Sequence, residues 1–344
     1  MNLTGEIIMK ILSKIIFALI TLSFLTSASF AGSHSKPVTW KASHQFPGGK
    51  GDARDEMVQI IAKEVAKANV DFKIQVYPGQ SLYKAKAQWK PLVDGQLDMT
   101  SLPLDYANSF HPEFSITLMP GIVKNHEHAQ RINKSPFMDD IRKIIDGAGA
   151  MVLSDAWLGG GFASKKTCVT GPESVKGQVM RAAGPMFNKM LEGAGASIAS
   201  MASSEVYAAL QTGVLTGVNT SSGSFVSFKL YEQVKCATPP GKFGLWFMYE
   251  PILISKKSFN ALNDKQKKAL LAAGKKAEKY MLGQVAALDK KMEDTYKAKG
   301  IKLSYMSEKD YNAWVEIAKK TSFKEFSAKV PAGAELIKKA LAVK

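Results

Sequence analysis

The chain has 344 residues, 46% of them hydrophobic, with 46 lysines and arginines against 30 acidic residues for a formal charge of +16. This basicity does not describe a nucleic-acid binder, because the lysines are scattered over stretches such as KKALLAAGKKAEKY rather than massed with aromatics in one stripe. The length allows two domains.

The first segment combines a basic start (Lys10, Lys14), an apolar run from Ile15 to Leu25 and a small-residue exit at Ser29-Phe30-Ala31. This is the layout of a secretory signal cut after Ala31. A membrane anchor is the alternative, but the run is short of the roughly 20 apolar residues that span a bilayer and is interrupted by Thr21 and Ser23. Removal of residues 1–31 leaves a charge of +15 and a soluble, exported chain.

Strand and helix signals then alternate. VTWKASH from Val38 reads as a strand, RDEMVQIIAKEVAKA as a helix with Met57, Ile60, Ile61 and Val65 on one face, and DFKIQVY as a second strand. AKAQWKPLVDG is helical, kinked or divided by Pro91, and LDMTSLPLDYA is a strand and loop. Such alternation predicts parallel βαβ units with helices on both faces of a sheet. His126-Glu127-His128 is the one metal-like cluster. Residues two apart on a helix face different ways and no third ligand is near, so a surface patch at a helix start after Asn125 is the better reading.

A second cycle begins near Met151. AMVLSDAWLGGGFASKKTCV gives a strand, a glycine cluster and a further extended run, without the spacing of a phosphate loop. VKGQVMRAAG is a strand ending on Arg181, and PMFNKMLEGAGA is a helix opened by Pro185. SEVYAALQTGVL is helical with Ser204 as N-cap. The longest periodic segment runs from Asn263 to Gly300, where Asn263 and Gln266 make a capping box; unbroken, it extends about 50 Å and lies across two domains. A coiled coil is the rival, but the stripe is alanine-rich and lacks a clean heptad.

Cys168 and Cys236 lie far from any CxxC or histidine partner; in an oxidising compartment they form a disulfide or stay as two thiols. No GxSxG, HExxH or kinase signature is present, and Asp139-Asp140 reads as exposed helix charge, so the chain is not read as an enzyme. Aromatic and amide residues do recur at expected loop ends: Phe46, Tyr106, Trp157, Asn219, Phe225, Trp246 and Tyr249. Any one of them reads as core before ligand contact, because large aromatics are mostly buried for packing. Arg181 differs, because a guanidinium at a strand end presents a donor fork that matches a carboxylate, where open α/β sheets bind their ligands.

The stretches YPGQSL, DGQLDMT, LMPGIV, VKGQVMRAAGPMF and SSEVYAALQTGVLTGVNTSSGSFVSFKLYE resemble those of the periplasmic solute-binding proteins of tripartite ATP-independent periplasmic (TRAP) transporters, the DctP-like group, across the whole mature chain. The resemblance implies a periplasmic-binding-protein-like α/β fold of two domains around a ligand cleft, spanned by a long helix. Domain I would hold 32–157 and 246–287, and domain II 158–245 and 288–344, with both cysteines. It implies a periplasmic monomer without cofactor, delivering a small organic acid to the small and large membrane subunits of an ion-gradient-driven permease. A secreted enzyme and a ligand sensor using the same cleft are the alternatives.

The family's carboxylate-clamping arginine falls on Arg181. Relatives often keep a second arginine where this chain has Gly161, and an acidic position after ALQTG is taken by Asn219, followed by the hydroxyls of Thr220, Ser221 and Ser222. One arginine with hydroxyls and the aromatics Trp157, Phe225 and Trp246 fits a monocarboxylate better than a dicarboxylate. Glu250 meets a cationic or hydroxyl group of the ligand, or is a structural partner.

Overall fold

The computed structural model describes residues 37–344, so the expected signal segment lies outside the described residues. No described helix is long and apolar enough to cross a membrane. β1 (Val38–Ser43), α1 (Ala53–Lys67) and β2 (Phe72–Tyr77) form a parallel βαβ unit, paired from Val38 with Phe72 to Ser43 with Tyr77. α1 is started by Asp52, whose carboxylate accepts the Arg54 backbone N–H, and it buries Met57, Val58, Ile61 and Val65 along one stripe. Pro91 divides its segment as expected: a 3-10 turn at Ala85–Ala87 precedes α2 (Trp89–Asp94), and the proline occupies the first turn, where a missing N–H costs nothing. β3 (Met99–Ser101), α3 (His126–Asn133), α4 (Pro136–Gly147) and β4 (Ala150–Ser154) follow.

The chain then crosses into a second sheet through β5 (Trp157–Ser164), every residue of which is buried. Its glycines are a packing requirement, since a Cβ on Gly160 would overlap the Thr220 carbonyl and one on Gly161 the Thr238 carbonyl. β6 (Val179–Arg181), α5 (Pro185–Gly193), β7 (Ser197–Ile198), α6 (Val206–Gln211), β8 (Gly217–Ser221), α7 (Ser222–Ser227), β9 (Cys236–Thr238) and β10 (Trp246–Tyr249) complete most of this lobe. Ser204 does not cap α6: its hydroxyl has no partner among the described residues, and the Glu205 carboxylate accepts the Ala202 N–H instead.

β11 (Ile252–Ser255) returns to the first sheet, whose order is β2-β1-β3-β11-β4 with β11 antiparallel to both neighbours. α8 (Lys256–Ala261) leads into α9 (Asp264–Ala298), 35 residues long and capped by reciprocal Asn263 and Gln266 bonds. Leu270, Ala273, Ala277, Met281 and Val285 of α9 pack with α1 in the first lobe's core, whereas Met292 and Tyr296 join the core of the second. After β12 (Lys302–Leu303) the second sheet reads β12-β9-β5-β8-β6-β7, with β10 antiparallel to β5. Both sheets are therefore mixed, because each is crossed by a returning strand, where the alternation alone predicts parallel units.

Two placements differ from the expected division. β10 pairs in the second sheet, whereas the expected domain I begins its second segment at residue 246. α10 (Glu308–Ala318) does belong to the second lobe's core, but α11 (Lys324–Lys329) and α12 (Gly333–Leu341) pack Phe326, Leu336 and Ile337 into the cluster of α4, and Lys339 pairs with Asp140 at 2.7 Å. The tail thus crosses back to the first lobe.

Cys168 and Cys236 are bridged, with Cα atoms 5.1 Å apart and a sequence separation of 68. Closing a loop of that length removes denatured-state entropy equivalent to about 4 kcal/mol. Reduction, or the double replacement by serine, is expected to lower the melting temperature by roughly 10 °C in a calorimetric scan; an unchanged melting temperature would show that the bridge adds nothing.

Candidate functional site

The edges facing between the sheets are built from the ends of β6, β8 and β10 on one side and the loops after β1 and β3 on the other. Arg181, the last residue of β6, is only 1% exposed. Its Nε donates to the Met201 carbonyl (3.1 Å), Nη1 to the Asn219 carbonyl (2.8 Å) and Nη2 to the Tyr106 hydroxyl (3.1 Å). Burial draws its pKa below the usual arginine value against the opposing pull of Tyr106 and Asp105. No carboxylate among the described residues pairs with it. Carbonyls fix this cation in place without neutralising it, which is an arrangement suited to an incoming anion.

Tyr106 and Arg54 reach across from the first lobe. The Tyr106 hydroxyl also accepts the Ser203 N–H at 3.0 Å, and Ser203 Oγ donates to Gln45 Oε1 at 3.2 Å. Arg54, 2% exposed, pairs with Asp52 at 2.7 Å and lies 3.8 Å above the Phe46 ring. Its Nη1 donates to Ser221 Oγ (3.2 Å) and Ser224 Oγ (2.9 Å), and Nη2 to Ser227 Oγ (3.3 Å). Glu250 Oε2 stands 3.8 Å from that Nη1. These contacts hold the two lobes together around a narrow gap lined by Gln45, Arg54, Tyr106, Arg181, Thr220 and Trp246, among others.

Two acids are buried beside this space. Burial pushes Glu250 up to about 8, with Arg54 pulling the other way. Burial likewise pushes Asp105 up to about 7. Asp105 packs on Gly184, the residue before α5, where a Cβ would overlap its carboxylate. All four of their carboxyl oxygens, with Gln45 Nε2, Asn219 Nδ2, Ser222 Oγ and Trp246 Nε1, lack a hydrogen-bond partner among the described residues. A buried polar group without a partner costs about 1–3 kcal/mol, so such a concentration marks a place that a ligand completes. The widest hollow lies elsewhere, between the Lys166–Gln178 loop and α10, and its lining has no unpartnered buried group among the described residues.

Of the expected residues, Arg181, Tyr106 and Trp246 line the gap, Ser221 and Glu250 stand 3.2 and 3.8 Å from Arg54 Nη1, the Asn219 carbonyl holds Arg181, and Phe46 supports Arg54 from below, while Ser222 is buried without a partner among the described residues. Two expected aromatics stand apart. Trp157 packs on Tyr249 at 5.1 Å, and Tyr249 sits on the strand face opposite to Trp246 and Met248. Phe225 meets Tyr296 edge-on at 5.9 Å within the second lobe's core. Nor do the histidines of α3 form an exposed patch: His128 is 2% exposed and bonds the Val343 carbonyl, while His126 pairs with Asp289 at 2.7 Å.

Sequence reasoning missed Arg54, Asp52, Gln45, Ser203 and Asp105. One signal was available: a cation in the first turn of α1 opposes the helix dipole, so Arg54 needs a reason to be there.

Among known proteins, the model of the family described as bacterial extracellular solute-binding protein, family 7 (DctP) matches residues 51–329. A solute-binding protein of Albidiferax ferrireducens is 37% identical over 301 residues, covering 86% of this chain and 89% of that relative. The crystal structure of a TRAP periplasmic solute binding protein from Rhodoferax ferrireducens, with bound malonate, is 37% identical and superposes with a TM-score of 0.84 over 87% of this chain and 96% of that one. One from Sulfurospirillum deleyianum with bound succinate, 22% identical, shares the fold at a TM-score of 0.80 over 90% of this chain and 100% of that one.

Proposed function

This chain belongs to the bacterial extracellular solute-binding proteins of family 7 and is the solute-binding subunit of a TRAP transporter for organic acids; on that premise we propose that it clamps a small monocarboxylate between its lobes through Arg181. The observation that carries this reading is charge. Two guanidiniums border the space, but Arg54 is paired with Asp52, whereas Arg181 has no carboxylate partner among the described residues. One unneutralised cation calls for one carboxylate.

Asn219, Ser221, Ser222, Trp246 and Tyr106 surround the acid, and Phe46 works through Arg54. Trp157 and Phe225 act as core residues of their lobes. The domain limits follow the two sheets, passing between β4 and β5, between β10 and β11, and between Val285 and Met292 on α9, with α11 and α12 assigned to domain I. Binding selects the closed arrangement, in which Tyr106 reaches Arg181 and Arg54 reaches Ser221. The closed, loaded form is what the membrane subunits would engage after export behind a signal peptide cut at Ala31.

Ligand-stripped protein tested against monocarboxylates, malonate and succinate in a thermal-shift screen distinguishes the possibilities. A monocarboxylate at 100 times its Kd is expected to stabilise by about 2.7 kcal/mol. Tight binding of dicarboxylates with no response to any monocarboxylate would overturn the assignment. Turnover of a bound acid would favour the enzyme reading, against which the matching family model and the solute-binding relatives weigh.

A further inference from the structure

The polar atoms around the cleft ask for more than a carboxylate. An ionised carboxylate offers only acceptors, which suits Arg181, Gln45 Nε2, Asn219 Nδ2 and Trp246 Nε1. It leaves Glu250 unanswered. That side chain is fully buried and both of its oxygens lack a partner among the described residues. Its one neighbouring cation has nothing left to give: the Arg54 Nε and Nη groups donate to Asp52, Ser221, Ser224 and Ser227, which uses the guanidinium's five N–H groups. The 3.8 Å from Arg54 Nη1 to Glu250 Oε2 is an ion-pair separation, beyond hydrogen-bond reach.

Glu250 is nonetheless set directly behind residues that line the ligand space, 3.8 Å from Arg54. Trp246 and Met248 precede it at alternate positions on one side of β10 and line the space, as does Arg54 itself. Ionised or protonated, its carboxyl keeps at least one oxygen that only accepts. Inside a dry cleft, the complement to that oxygen is an O–H or N–H on the ligand.

Resting on the organic-acid reading above, we propose that the ligand is a carboxylate bearing a hydrogen-bond donor, hydroxyl or ammonium, on its carbon skeleton, and that Glu250 receives that donor. Glu250 thereby determines specificity, separating substituted acids from plain ones that fit the same space. A plain acid strands a buried carboxyl, and the discrimination comes from that penalty.

The test uses the ligand-stripped mature protein and calorimetric titration with matched sets of short straight-chain acids: unsubstituted, 2-hydroxy and 2-amino. At least one substituted acid is expected to bind about tenfold or more tightly than its unsubstituted counterpart. Glu250→Leu, which removes the acceptor, should reduce that ratio to near unity. Glu250→Gln, which keeps a carbonyl acceptor but no charge, should retain a preference for the hydroxy acid and weaken one for the amino acid. A purely structural role would weaken all members of a set alike. If Glu250→Leu fails to fold, the native panel and Glu250→Gln still decide.

Equal or tighter binding of the unsubstituted acid in every set overturns the proposal. So does a preference that appears only when Na⁺ or Ca²⁺ is added, because Glu250 would then hold a cation. If no acid binds, plain or substituted, the organic-acid reading falls and the inference falls with it.

Discussion

Replacing Arg181 with alanine is expected to weaken binding of the acid by about 100-fold or more, since truncating one partner of a buried, hydrogen-bonded charge pair costs about 2–5 kcal/mol. The guanidinium is held by the Met201 and Asn219 carbonyls and by Tyr106, so it costs little further ordering when the anion arrives. Lysine at this position restores the charge but not the fork, and should recover only part of the affinity. Calorimetric titration reads both variants, and circular dichroism shows whether they keep the fold. An alanine variant that is folded and binds with native affinity would remove Arg181 from the clamp.

Asp52→Ala is the second large effect, and it acts on stability. Asp52 caps α1 and neutralises Arg54, both residues being almost wholly buried. Breaking a buried pair leaves an uncompensated charge and costs about 3–5 kcal/mol, to which the lost cap adds about 1 kcal/mol. A melting temperature lowered by roughly 10 °C is expected. The pair also predicts acid lability. Burial works to raise the Asp52 pKa, but the charge and hydrogen bonds of Arg54 outweigh it and leave it below 3.8. A depressed carboxylate stabilises the fold above its unfolded pKa, so this contribution is lost as the pH falls below about 3.8. A variant melting like the native protein would mean that Arg54 finds another partner.

Much of the fold was legible because local chemistry and long-range packing agree there. Asn263 and Gln266 cap α9, Pro185 opens α5, and the alternation of Phe72, Ile74 and Val76 makes β2. Strand direction was not legible: β11 runs antiparallel to β3 and β4, and β5 to β8, β9 and β10, because the chain crosses between sheets, and nothing in ILIS or WLGGGFAS encodes that crossing. The site divided in the same way. Arg181 announced itself at a strand end, whereas Arg54 looked like an ordinary helical cation until folding set it against serines about 170 positions away. Trp157 and Phe225 look in the sequence like any aromatic at a loop end, and only the side of the strand or helix on which each lies separates core from cleft.

The handover along α9 has a mechanical consequence. A single rod is glued to one body as far as Val285 and to the other from Met292, and Gly283, whose side faces open space, sits just before the handover. When the bodies swing, the strain has nowhere to go except into the curvature of that short stretch. The rod is then a leaf spring whose stiffness sets how wide the jaws rest when empty, and how much of the ligand's grip is spent in bending it.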